Sequence, residues 1–158
     1  AVNVAFPELV NRVESLLQDE IKLLEQLKKL ASGGEVTADQ LLENATEAAG
    51  GLVITAEIPG ANPNLMRQLI DAVRKKSSKP TAVLLTGVAG PDKVIVIAGL
   101  SNELVAKGLS AGTWASQTAQ ILGGSGGGRP DLAQAGGKNP EKVTEALEAG
   151  KKWMLSQL

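Results

Sequence analysis

The chain has 158 residues, of which 43% are hydrophobic, and a formal charge of −1. That supports one packed domain with a small appendage, and it provides no global field that would draw in a polyanion. There is no cysteine, histidine or tyrosine, which excludes disulfides, thiol chemistry and imidazole acid–base work.

The lack of cysteine suits a reducing, cytoplasmic setting. No apolar run approaches the ~20 residues of a membrane span, and the start is not a signal peptide. The chain opens on Ala1, as a segment cut from a longer protein would.

Residues 7–31 form the first predicted element. Leu9, Val13, Leu16, Leu23, Leu27 and Leu30 recur at alternating spacings of four and three, with Glu20 in the one polar gap. This is a heptad seam of the coiled-coil kind. A second seam, Val10, Leu17, Ile21 and Leu24, lies beside it. Together they make a wide apolar stripe, suited either to packing on the following helix and the domain or to a homodimer seam or the end of a longer coiled coil. Gly33-Gly34 ends the pattern.

Thr37-x-x-Gln40 is a capping box that opens a second helix over 37–49, ended by Gly50-Gly51. The two helices read as a hairpin, a helical subdomain over 1–50. Residues 51–158 read as a globular α/β subdomain.

The globular part begins with a strand at 51–58. Asn62-Pro63 then opens a helix to Lys76, and a continuously apolar strand follows at 81–88. Strand, helix, strand implies a parallel pair with a right-handed crossover. A Gly90-Pro91-Asp92-Lys93 turn leads to a strand at 93–100 paired back on its predecessor. Short helices at 101–107 and 112–122 follow. Asn139-Pro140 opens a last helix to about Leu158. The class is α/β: a small mixed sheet with flanking helices behind a helical hairpin.

Catalytic constellations are missing. No serine has a histidine base, no pair of carboxylates stands at a dyad spacing, and no metal-ligand cluster occurs. No cofactor is expected, and the chain by itself reads as noncatalytic.

The most informative stretch is GGSGGGRPDLAQAGG, 123–137, in which seven of fifteen residues are glycine. A P-loop would need Lys and Ser/Thr where Arg129 and Pro130 stand. The dinucleotide fingerprint would need glycine at 129. The insert RPDLAQ argues against a plain linker and for an ordered glycine loop. Glycines let backbone N–H groups approach phosphate or ribose, and Arg129 can fork onto phosphate or stack on a base. The alternative is that Arg129 pairs with Asp131 and the glycines only let elements pack closely.

The segment 123–148, GGSGGGRPDLAQAGGKNPEKVTEALE, resembles the glycine-rich signature of the C-terminal domain of alanyl-tRNA synthetase. That domain is related to the DHH-associated domain of DHH phosphodiesterases. Domains beside a phosphodiesterase core usually carry a histidine in the glycine motif, and this chain has none. The resemblance implies a noncatalytic domain that binds the outer corner of alanine tRNA. It would help the aminoacylation and editing domains of the parent chain act together, and it self-associates in several members.

On that footing the RNA-binding candidates are Gly124, Gly126, Gly127, Gly128, Arg129, Gln134, Gly136, Gly137 and Lys138. Secondary candidates are Arg74, Lys75, Lys76, Lys107 and Trp114. For Arg74, Lys75 and Lys76 the alternative is the favourable placement of cations at a helix C-terminus. For Trp114 it is the core. Self-association falls to the first leucine seam.

Overall fold

A computed structural model describes residues 13–24, 36–60 and 62–158. The chain divides into two compact units, 1–35 and 36–158. In the first, residues 13–24 form a helix, α1. Val13, Leu16, Leu17, Ile21, Leu23 and Leu24 are each at least half exposed on it. Leu9, Leu27, Leu30 and the Gly33-Gly34 stop lie outside the described residues.

The second unit is a six-stranded mixed sheet with helices on both faces. The strands are β1 (Thr46–Ala48), β2 (Gly51–Glu57), β3 (Thr81–Gly90), β4 (Lys93–Leu100), β5 (Ser125–Gly128) and β6 (Leu132–Gly137). Their spatial order is β1-β2-β3-β4-β6-β5. The expected crossover is present: β2 and β3 are parallel, and β4 returns antiparallel to β3. Between β2 and β3 runs α3 (Pro63–Lys76). Asn62 caps it, its Oδ1 accepting from the amides of Asn64 and Leu65.

The sheet separates two apolar layers because β3 alternates. Ala82 and Leu84 face α5 (Ala111–Ile121) and α6 (Val143–Gln157). Val83 and Leu85 face α3 and α2 (Ala38–Glu43). A five-residue helix, α4 (Asn102–Ala106), joins β4 to α5, and a single 3₁₀ turn, Pro140–Lys142, precedes α6.

Two expectations need correction. The Thr37–Gln40 capping box forms, but its helix stops at Glu43 instead of running to 49. Residues 46–48 pair with β2 instead. Ala49 and Gly50 both have positive φ, 50° and 79°, and turn the chain between the two strands. Gly50 therefore serves a hairpin and not a helix end. Hence α2 belongs to the second unit, packing Ala38 and Leu41 beside α3.

The second correction concerns 123–137, which is a β-hairpin and not a loop. Gly123, at φ 71°, ends α5. β5 and β6 then pair across a two-residue turn, Pro130-Asp131, which the Arg129 amide closes by donating to Leu132 O.

Candidate nucleic-acid interface

The glycine hairpin forms one end of the sheet. β6 pairs with β4 on its inner side, and β5 is the edge strand. The turn is anchored from three directions. Ala111 N–H, at the start of α5, donates to Pro130 O at 2.9 Å, and Leu100 N–H donates to Asp131 O at 2.9 Å. Arg74 Nη1 donates to both Leu100 O and Asp131 O, at 3.1 and 3.2 Å, while its Nη2 meets Asp71 Oδ1 at 2.8 Å. Pinned in this way, the turn holds Arg129 outward.

The glycines divide into two sets by what a side chain would meet. A Cβ on Gly124 would lie 1.8 Å from Gly136 O, and one on Gly126 would lie 2.3 Å from Ala135 Cα. One on Gly128 would lie 2.7 Å from Ala133 Cα, and one on Gly137 would lie 2.3 Å from Leu122 Cβ. Real atoms do not approach so closely, so these four are glycine because β5 folds tightly over β6 and the hairpin closes on α5. Gly127 has nothing within 4 Å of its Cβ position, and Gly136 has only ordinary contact, at 3.5 Å from Val94 O. Neither has positive φ. Packing does not require glycine at 127 or 136.

Strand alternation turns those two outward together. Residues directly opposite in an antiparallel pair share a face. Ser125, Gly127 and Arg129 therefore line up with Gly136, Gln134 and Leu132. Arg67, from α3, donates to the Gln134 side-chain oxygen. A shallow groove of ≈ 700 Å³ runs beside them, with Lys93, Lys138 and Asp92 on its walls. Arg129 is 78% exposed and stands 3.7 Å from Asp131 Oδ1. A surface pair of that kind holds by about 0–1 kcal/mol, so the guanidinium remains available.

Among the primary candidates, Gly126, Gly127, Gly128, Arg129, Gln134 and Lys138 are exposed. Gly124 and Gly136 are half-buried, and Gly137 is buried. Among the secondary ones, Trp114 is fully buried. Its Nε1 donates to Gly150 O at 2.8 Å. It is core and offers no stacking face. Arg74 is committed to the turn, and Lys76 is paired with Asp39 at 2.8 Å. Lys75 and Lys107 are exposed.

Arg67 carries no signal in the sequence, since it reaches Gln134 across 67 positions. Lys93 read only as a turn residue. No group of three or more metal-ligating side chains occurs among the described residues.

A parallel-crossover sheet closed by a glycine hairpin and an α6 cover defines a class that comparison makes explicit. The DHHA1 domain family matches residues 50–156, and the chain belongs to it. The alanine–tRNA ligase of Rhodopirellula baltica is 50% identical over 157 residues. The match spans 99% of this chain but only 16% of that enzyme's length.

The C-Ala domain of Aquifex aeolicus alanyl-tRNA synthetase superposes with a TM-score of 0.63 at 28% identity. It covers 71% of this chain and 98% of its own. A DHH domain described as a member of the s1p family of ribosomal proteins shares the fold, with a TM-score of 0.53 at 18% identity. That match covers 89% of this chain and 32% of that one.

Proposed function

We propose that this chain is the noncatalytic tRNA-binding domain of an alanine–tRNA ligase. In this role its glycine hairpin contacts the outer corner of alanine tRNA and couples the aminoacylation and editing domains of the parent protein, in the cytoplasm. The single observation that carries the proposal is Gly127. Its position is open, packing does not require glycine there, and it lies two residues from Arg129 and directly opposite Gln134, which Arg67 meets and which also lines the groove that carries Lys93 and Lys138. A flat backbone flanked by guanidinium and ammonium groups accepts a phosphate–ribose surface closely. The chain's relatives are alanine–tRNA ligases, of which it spans about one sixth.

The test is binding of the 158-residue chain to an alanine tRNA transcript and to an RNA hairpin lacking the D-loop/T-loop corner. Arg129→Ala should weaken tRNA binding about tenfold, as loss of a charged hydrogen bond does. It should also lower the salt slope by about one phosphate contact. The melting temperature should scarcely move, since the side chain is mostly exposed. Equal affinity for the two RNAs would remove corner recognition.

A second reading, compatible with the first, is self-association through α1. It rests on the six apolar side chains left at least half exposed there. Sedimentation at micromolar concentration decides it, and a strict monomer would exclude it.

A further inference from the structure

The other flank of β5 carries a groove of a different chemistry. It lies between β5 and α5 and is lined by Ser110, Thr113, Ser116, Gln117, Gln120 and the Gly127-Gly128 backbone. Thr113, Ser116, Gln117 and Gln120 stand at i, i+3, i+4 and i+7, on one face of the helix. No residue of α5, AGTWASQTAQI, is charged. The inward-facing Trp114 and Thr118 of the same helix are hydrogen-bonded. The side chains of Thr113, Ser116, Gln117 and Gln120 make no hydrogen bond among the described residues.

β5 also keeps unspent backbone groups on this side. The Arg129–Leu132 bond sets the ladder phase, so Gly127 and Ser125 pair with β6 while Gly126 and Gly128 point their N–H and C=O away. Helix α5 comes up against the second of these: a Cβ on Gly112 would lie 2.7 Å from Gly128 O.

We infer that this groove is a second RNA contact that takes the ribose 2′-hydroxyl edge, not the phosphates. The inference rests on the tRNA-binding reading above. The groove's own lining has no cation to hold a phosphate. Its hydroxyls and amides each offer both donor and acceptor. The 2′-hydroxyl does the same, and it is the group that tells RNA from DNA. The placement is also suitable. The cationic face lies across β5, a single strand about 5 Å wide, and Gly127 is common to both sides. A ribose–phosphate backbone crossing the edge strand meets Arg129 on one flank and the amide stripe on the other.

The test uses the full chain and two probes: an alanine tRNA transcript, and the same transcript with 2′-deoxy residues through its D and T arms. The triple variant Thr113→Val/Gln117→Met/Gln120→Met removes hydrogen-bonding capacity from three exposed positions at nearly constant shape. Its melting curve reports that the fold persists. The expected result is about tenfold weaker binding to the all-ribose transcript, the scale of a few neutral hydrogen bonds. The salt slope should be unchanged, and the preference for ribose over 2′-deoxy RNA should be lost.

Wild-type affinity, an altered slope, or a retained ribose preference in the triple variant would each overturn the inference. Arg129→Ala separates the two claims. If it weakens binding while the triple variant does not, only the groove is wrong. If both are silent, the tRNA-binding reading falls with it. Gln117→Glu gives an independent check. It adds a carboxylate to the groove and should weaken binding by a factor, relative to wild type, that narrows as salt rises, and no effect would again count against the inference.

Discussion

Gly126→Ala and Gly127→Ala, one position apart on an exposed strand, should behave oppositely. At 126 the new methyl would sit 2.3 Å from Ala135 Cα, 2.4 Å from its Cβ and 2.9 Å from Gln134 O. Carbon atoms rest ~3.5–4.0 Å apart, so β5 must retreat from β6 by about 1.2 Å or more. Two of the three contacts are backbone atoms, and β6 is itself paired to β4, so nothing soft can yield. Overpacking of this kind costs about 1–3 kcal/mol, and loosening one flanking ladder hydrogen bond adds about 1.

A total near 3 kcal/mol lowers the melting temperature of a chain this size by about 6–12 °C. At 127 the methyl meets nothing within 4 Å. Reduced freedom of the unfolded chain then raises stability by about 0.4–1 kcal/mol.

The readout is thermal melting followed by tryptophan fluorescence, since Trp114 and Trp153, the two tryptophans of the chain, both lie at the α5–α6 contact. Each protein is then titrated with alanine tRNA. Gly127→Ala should melt at or slightly above the wild type and bind tRNA more weakly, because the methyl stands where RNA approaches. Equal melting temperatures for the two variants would refute the division of the glycines by steric need. A Gly127→Ala protein with wild-type tRNA affinity would refute close RNA approach at that position.

Two further substitutions address side chains that first read as RNA contacts. Trp114→Phe deletes the buried donor to Gly150 O and part of the core. It should cost about 1–3 kcal/mol in chemical denaturation and leave tRNA affinity unchanged once folded protein is counted. Arg74→Met removes the donor shared by Leu100 O and Asp131 O. A loss of about 1–3 kcal/mol is expected, with amide hydrogen exchange rising first at Leu100 and Ala111, the amides that hold the Pro130-Asp131 turn. Unchanged exchange there would show that Arg74 does not anchor the hairpin.

The α/β class, the crossover between β2 and β3, the β3–β4 hairpin and the caps of α2 and α3 could all be read in one dimension. Each rests on neighbours within a few residues: Asn62 caps amides two and three positions on, and a β-branched run suits a strand wherever it packs. Residues 44–50 depart from their local helix pattern for the same reason. Helix propensity there is local, while the pairing of Thr46 with Val53 and the left-handed turn at Ala49-Gly50 stabilise a different structure.

The site divides along the same line. The composition of 123–137 marked it as special, but not which glycines were structural. That depends on how far β5 stands from β6, a distance no spacing encodes. Arg67 meets Gln134, Arg74 meets Asp131 and Trp114 meets Gly150 only because the sheet and its helices carry residues from 36 to 67 positions apart into contact. Sequence alone determined that a glycine-rich segment with one arginine would matter. Tertiary packing decided which face of it is open, because exposure belongs to the packed surface and not to any residue within it.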